Sequence, residues 1–485
     1  MLTFTLEKNK KYAIVQGDGF EDLREHFSVK NEAARFTKRF NPYISDRQYA
    51  ITPTGRFDPG LFEEIKKYLV SKNYAGKINV DDLTFQHAVK PSPLGWMQYP
   101  QYNNQGYSLK LPLRDYQSDI VTTCLEHGRG TIMLATAGGK TLTMASLISR
   151  VSTFYQKFKC LVIVPDRGLA EQTYNDFTEY GVPFKPAKWT GDDTLDLSAD
   201  VIIANLGILQ SENSSLNWIE FVDLLIVDEC HKLRKTNNFN NIIKQIRTPY
   251  RFGFTGTLPD NLLDQWNIIG KIGPLLYEKN SYQLRQEKYI SPVTAQIINI
   301  TYKTPPPPVS TQDISSRYRN EMDFIIQSEF RSQLIATLAS GVSNNCLVLV
   351  DFIEHGKILE LACKAKCSTK QVYFIQGSVE IEEREKIKIL MEANSNVVVV
   401  AISKIFSTGI NIKNLHYIVL AGGGKAKIKI IQTIGRGLRL HSSKTKLTLV
   451  DLADQLEYGI RHALKRQEIY KNENIAQTAH NVTTS

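Results

Sequence analysis

Short β-branched runs alternate with helix-length amphipathic stretches, twice over, and that alternation leaves few architectures open. The first series is Thr131–Leu134, Cys160–Val164, Val201–Ala204, Leu224–Val227 and Arg251–Thr255. Each run is apolar on both faces, and enough chain follows each for a crossover helix. Strands buried on both sides and joined by helices give a parallel, doubly wound sheet. The pattern restarts after residue 283, with Leu347–Val350, Val372–Ile375, Val397–Ala401, Tyr417–Leu420 and Leu447–Val450. The expected fold class is therefore α/β, with two tandem parallel-sheet domains.

At roughly 150 residues per domain, 485 residues leave room for a third, smaller unit. Residues 1–95 are polar and aromatic and read as a small α+β accessory domain. A helix is expected over Pro59–Lys72, with Phe62, Ile65, Tyr68 and Leu69 on one face. Residues 96–112, rich in Pro, Asn, Gln and Tyr, read as a linker. The two sheet domains then span 113–282 and 283–470, and the polar tail 471–485 is expected to fray. Four consecutive prolines at 305–308 make Thr304–Ser310 a stiff, extended connector.

A 42% hydrophobic and 10% aromatic chain can build cores, which excludes wholesale disorder. No apolar run approaches the ~18 residues of a membrane helix, and Glu7, Lys8 and Lys10 interrupt any signal-peptide core. Six scattered cysteines, at 124, 160, 230, 346, 363 and 367, fit a reducing cytoplasm rather than a disulfide scaffold. Cys363 and Cys367 lack a second ligand pair nearby, so no zinc is expected.

The strongest chemical signal is Ala135-Thr136-Ala137-Gly138-Gly139-Lys140-Thr141, between an apolar strand and a helical pattern. Gly138 and Gly139 let backbone N–H groups curl round phosphate oxygens. Lys140 reaches the β- and γ-phosphates, and the Thr141 hydroxyl ligates Mg²⁺. The stringent pattern asks for a further glycine where Leu134 stands, so the assignment leans on the strand–loop–helix context. The second signal is Asp228-Glu229-Cys230-His231, directly after Leu224–Val227. Adjacent carboxylates at a strand end are costly unless a cation or substrate uses them. Asp228 would hold Mg²⁺ through its water shell, and Glu229 would orient and deprotonate the attacking water. A Cys230–His231 dyad is set aside, because neighbours on an extended chain point opposite ways.

In order along the chain come Leu113-Arg114-Asp115-Tyr116-Gln117, the phosphate loop, Val164-Pro165, the Asp-Glu-Cys-His box, Thr255-Gly256-Thr257, Ser407–Ile412 and Gln432–Arg439. This series resembles the motif set of superfamily 2 helicases, and within it the UvsW-type bacteriophage DNA helicases. Lys404–Leu420, Gln432–Arg439 and His355-Gly356-Lys357 look closest to that group. The resemblance covers 113–452 by motif and 1–95 more weakly. It implies two RecA-like domains with ATP and Mg²⁺ between them. Gln117 would recognise adenine, with Arg114 and Tyr116 lining the base pocket and Thr136, Ala137 and Gly409 also touching the nucleotide. Thr255 and Thr257 would couple hydrolysis to DNA handling. Gln432, Arg436 and Arg439 would close on the γ-phosphate. Arg436 and Arg439 are one helical turn apart, so both can face one cleft. A guanidinium on the equatorial oxygens is worth ~10³-fold or more in rate.

Two departures stand out. Asn411 replaces the family's usual Asp, and Thr-Gly-Thr replaces the Ser-Ala-Thr of many relatives. His231 in the fourth place of the box favours a DNA motor over an RNA one.

The net charge is +10, and Ala401–Val450 holds nine Lys or Arg with no Asp or Glu. Such a run is a solvated face or a phosphate-facing one. Candidate nucleic-acid contacts are Lys404 and Thr408 there, Pro165, Arg167 and Asn205 in the first sheet domain, and Arg35, Lys38 and Arg39 in the accessory domain. Phe36, Phe40 and Tyr43 interleave with the last group, as stacking plus phosphate binding requires.

The implied activity is an ATP-dependent helicase or translocase that remodels branched or forked DNA while tracking a single strand 3′→5′. The implied setting is a monomer in the cytoplasm, that of a bacterial host if the source is viral. The alternatives are an RNA helicase, a motor subunit of a restriction or nuclease complex, and a non-hydrolysing nucleotide-switched clamp.

Overall fold

In the computed structural model, buried β-branched runs build two seven-stranded sheets, and aromatic alternation builds a smaller one. Described are residues 1–7, 11–32, 34, 41, 43–74, 78–80, 83–91, 109–191, 193–211, 214–234, 238–306, 314–376, 381–403, 412–424 and 427–484. The chain divides into two compact units, Met1–Leu134 with Gly139–Lys279, and Asn280–Ser485 grouped with Ala135–Gly138. The first unit holds the N-terminal module and the first large sheet.

In the N-terminal module β1 (Leu2–Leu6) pairs antiparallel with β2 (Ala13–Gly17). Two short strands pair apart from its main sheet, β3 (Ser28–Lys30) with β4 (Arg47–Tyr49). With β5 (Arg56–Phe57) and β6 (Ile78–Asn79) the main sheet runs β5-β2-β1-β6. Alternation along β1 buries Leu2 and Phe4. Phe4 meets Phe62 edge-on at 5.0 Å, and Phe62 meets Phe85 at 4.9 Å. Phe62 opens the helix Phe62–Ser71, which also buries Ile65 and Leu69 as the periodicity predicts. The module packs on the first large sheet's helix Leu262–Lys271 through Phe27 against Trp266, at 5.1 Å.

The first large sheet contains β7 (Arg129–Leu134), β8 (Cys160–Val164), β9 (Pro186–Trp189), β10 (Val201–Asn205), β11 (Leu224–Asp228), β12 (Arg251–Thr255) and β13 (Leu275–Lys279). Its order is β13-β7-β12-β11-β8-β10-β9, parallel throughout. The order matters for function, because it makes β7, β12 and β11 neighbours. Ligands of parallel sheets bind beyond the carboxyl ends of the strands, and here those ends carry the phosphate loop, Thr255 and Asp228.

The second unit contains β14 (Val293–Thr301), β15 (Cys346–Val350), β16 (Gln371–Ile375), β17 (Val397–Ile402), β18 (Tyr417–Leu420), β19 (Leu447–Asp454) and β20 (Ala476–Thr483). Its order is β16-β17-β15-β18-β19-β14-β20, again all parallel. Its core gathers Val348, Val350, Val398, Val400 and Val419 with Ile335 and Leu359 from the covering helices. These are the two RecA-like domains of the expected fold class. The tail departs from expectation. Helix Glu457–Asn472 runs into it, and β20 pairs with β14 over eight residues. A polar sequence suffices there because an edge strand is held by backbone hydrogen bonds and its side chains face water. The linker 96–112 falls largely outside the described residues, as does half of the proline run.

Candidate functional site

At the end of β7 the chain turns tightly, with Gly138 N–H donating to the Ala135 carbonyl at 3.0 Å. Ala137 and Gly139 adopt positive φ, 67° and 81°. Helix Lys140–Ser152 starts at once, so its first amide N–H groups open toward the loop. Glycine is favoured at 139 on two counts. Its φ is left-handed, and a Cβ there would lie 2.3 Å from Gln117 Nε2. The Gln117 amide is used at both ends. Its Oε1 accepts from Arg114 N–H at 2.9 Å, and its Nε2 donates to the Gly139 carbonyl at 3.3 Å. Gln117 thus ties the start of helix Asp115–His127 to the phosphate loop. Arg114 Nη1 donates to Tyr116 Oη at 3.0 Å, and Lys279 Nζ sits 4.9 Å from the Tyr116 ring centre. Thr136 and Thr141 are part-exposed in and just after the loop.

Lys140 Nζ lies 3.5 Å from the Leu134 carbonyl and 3.8 Å from Glu229 Oε1. Asp228 ends β11 and is buried, and Glu229 follows in the left-handed region at φ 49°. Burial, then the Glu229 charge, push the Asp228 carboxyl well above the usual carboxylate range, with Lys140 pulling the other way. A divalent cation would supply the missing positive charge. No group of three or more His, Cys, Asp or Glu able to cage a metal occurs among the described residues. Mg²⁺ keeps several waters and takes one or two protein oxygens plus phosphates; Thr141 and Asp228 could provide those oxygens.

The reversed backbone at Glu229 brings its side chain back to His231, whose Nδ1 lies 3.1 Å from Glu229 Oε2. The same Nδ1 lies 3.0 Å from Thr255 Oγ1, which donates its own proton to the Thr257 carbonyl at 2.7 Å. A hydroxyl has one proton to give, so Nδ1 carries the hydrogen between His231 and Thr255. His231, Thr255 and Thr257 are therefore hydrogen-bonded in series across β11 and β12, with Glu229 Oε2 lying against the same imidazole. His231 is the member that sequence reasoning did not place at the site. Cys230 points into the core beneath Gly253; Cys230–Lys232 forms a short 3₁₀ helix, not the extended chain on which the rejection of a dyad rests.

The other predicted contacts are spread out. Pro165 and Arg167 follow β8, where Asp166 caps helix Arg167–Tyr180 by accepting from Leu169 N–H at 3.0 Å. Arg167 is exposed and lies against Gly191. Asn205 ends the adjacent β10 and is buried. Arg35, Lys38, Arg39, Lys404, Thr408 and Gly409 lie outside the described residues. Helix Lys427–Gly437 carries positions 432 and 436, whose side chains also lie outside them. The Arg439 carbonyl accepts from Ser291 Oγ at 3.1 Å.

One cation of the acid-free stretch is not on a surface. Lys444 is buried, and its Nζ donates to the carbonyls of Gly437 at 2.8 Å and Lys413 at 3.0 Å. It caps the carboxyl end of helix Lys427–Gly437, where a cation suits the helix dipole. Burial lowers its pKa to about 8.

Residues 110–260 match the family model described as the type III restriction enzyme res subunit, and residues 329–441 match the helicase conserved C-terminal domain. The chain is 28% identical over 483 residues to the ATP-dependent DNA helicase uvsW of Enterobacteria phage T4, covering 94% of each. It belongs to the superfamily 2 helicases. This helicase is also 23% identical to the DNA 3′-5′ translocase XPB2 of Sulfurisphaera tokodaii, over 82% of this chain and 91% of the relative. A fragment of an HsdR subunit of a type I restriction enzyme from Vibrio vulnificus shares its fold, with a TM-score of 0.56 at 16% identity over 76% of this chain and 68% of that one. The helicase is ATP-hydrolysing, as its two domain families require. No helix among its described residues is long and apolar enough to cross a membrane.

Proposed function

We propose that this helicase is a DNA motor that remodels branched or forked DNA, by branch migration, fork regression and unwinding in recombination, replication and repair. The observation that carries the reading is the likeness to the phage T4 DNA helicase along 94% of both chains, which takes in the N-terminal module as well as the motor. The likeness to a DNA 3′-5′ translocase supports 3′→5′ tracking. DNA is the partner, the working form is a monomer, and the place of action is the host cytoplasm.

In this mechanism the phosphate loop holds ATP, with Gln117, Arg114 and Tyr116 beside the base and Thr136, Ala137 and Gly409 along the nucleotide. Thr141 and Asp228 would hold Mg²⁺, which would supply charge neutralisation to the phosphates. Glu229 accepts the proton of the attacking water, and Lys140 reaches the β- and γ-phosphates. Gln432, Arg436 and Arg439 stabilise the γ-phosphoryl charge. Thr255 and Thr257 couple hydrolysis to DNA handling, with His231 hydrogen-bonded to Thr255. Pro165, Arg167, Asn205, Lys404 and Thr408 follow the strand, and Arg35, Lys38 and Arg39 read the duplex.

The test is conversion of a mobile four-way DNA junction and of 3′- and 5′-tailed duplexes. ATP-dependent junction conversion with 3′-tailed preference is expected. Equal unwinding of 5′ tails would remove the polarity, and loss of activity on junctions alone would remove branch remodelling. Nuclease activity copurifying with the chain would favour the restriction-motor reading that the res-subunit match raises.

A further inference from the structure

A cavity of about 690 Å³ opens where the N-terminal module meets the first large sheet. Its inner wall carries Arg129, Arg251 and Lys271, and its rim carries Lys11, Lys244 and Arg247. Among the described residues Asp58 is the one carboxylate that lines it, 2.5 Å from Lys271 Nζ. Arg129 opens β7 and Arg251 opens β12. The cavity therefore lies at the amino ends of the two strands whose carboxyl ends carry the phosphate loop and Thr255, and it is separate from the nucleotide site.

Both guanidiniums are anchored by backbone carbonyls, which satisfy N–H groups without neutralising charge. Arg129 donates to Ile272 at 2.8 Å and to Lys271 at 3.2 Å, and Arg251 donates to Lys271 at 3.0 Å. Burial, and then the charge of Arg251, pull the Arg129 pKa well down, with Asp58 pulling the other way. At the rim, Lys244 lies over the Tyr12 ring at 5.5 Å and Arg247 pairs with Glu220. Ile246 and Pro249 add an apolar wall. Volumes of ~300–1,000 Å³ with apolar walls and a few convergent polar groups are those of small-ligand sites.

We propose that this cavity binds a phosphate-bearing ligand of about mononucleotide size, its phosphates against the cationic wall and its organic part against Ile246 and Pro249. The phosphate comes from a free nucleotide-like compound or from the phosphodiester of a DNA strand. Because the ligand touches both the module and the sheet, it strengthens the docking of one on the other.

The experiment uses the full chain with Lys140→Ala, which silences the phosphate loop. It is titrated calorimetrically with inorganic tripolyphosphate and with single-stranded oligonucleotide, with and without Lys244→Gln plus Arg247→Gln. Saturable tripolyphosphate binding that weakens about tenfold in the rim variant is expected for the free compound. For a strand phosphodiester, oligonucleotide binding weakens instead, with a salt slope smaller by about two. If the rim variant melts lower than its parent without ligand, Lys11→Gln on the module side replaces it. Unchanged affinity for both probes overturns the proposal. The helicase reading survives that failure, since it rests on none of these residues.

Discussion

Glu229 does its work from a backbone conformation that a glutamate rarely adopts. Its left-handed φ of 49° costs of order 1 kcal/mol or more. The turn places one carboxylate oxygen 3.8 Å from Lys140 Nζ and the other 3.1 Å from His231. Glu229→Gln keeps shape and removes the base. ATP turnover is expected to fall at least ~10²-fold while nucleotide affinity holds; steady-state kinetics with a nucleotide-binding titration checks the split, and an equal loss of both would show a ground-state contact. His355 makes a different prediction. Burial, then Arg331 beside it, lower its pKa to about 3. An unfolded histidine protonates near 6.5, so between about 3 and 6.5 the unfolded chain binds more protons. Stability is whole above 6.5 and drains by about 1.4 kcal/mol per pH unit as pH falls toward 3. Urea midpoints at pH 7 and pH 5 should differ less in His355→Asn than in the parent.

Among elements, most interior strands were legible and most edges were not, although the interior Val293–Thr301 was missed and the edge strand Gln371–Ile375 was foreseen. Cys160–Val164, Arg251–Thr255 and Tyr417–Leu420 match the predicted bounds residue for residue, because strands covered on both faces must be apolar throughout. Pro186–Trp189, which opens on a proline, and the mostly polar, exposed Ala476–Thr483 lie at sheet edges, where neither apolar side chains nor every N–H is needed. The phosphate loop and carboxylates were readable because their chemistry is local in sequence. The link from His231 to Thr255 was not, since it depends on β11 and β12 being neighbours. Lys444 looked like one more surface cation, because its distance from the helix it caps gives no periodic signal. A further non-local knot closes the second sheet. Arg331, 1% exposed, meets Asp454 at the end of β19 with Nε–Oδ1 2.8 Å and Nη2–Oδ2 3.0 Å, and Tyr302 Oη donates to Asp454 at 2.6 Å. Arg331→Met strands a buried carboxylate and should cost ~3–5 kcal/mol. Adding Asp454→Leu should recover part of that loss in chemical denaturation; a double variant weaker than the single would contradict the charge argument.

For the whole molecule, two parallel sheets with the nucleotide chemistry at the carboxyl edge of the first are what an ATP-driven motor requires, and the N-terminal module is built onto that same unit. Gly60 shows how close the fit is, since a Cβ there would lie 2.4 Å from the Ile269 carbonyl. The central claim is that hydrolysis at Lys140, Asp228 and Glu229 is driven by DNA, and by branched DNA most. It is tested most directly by ATPase rates of the parent chain and Lys140→Ala over single strands, duplexes, forks and four-way junctions, each as DNA and as RNA. The account predicts the largest stimulation by DNA forks and junctions and none in Lys140→Ala. Equal or greater stimulation by RNA, or hydrolysis that persists in Lys140→Ala, would contradict it.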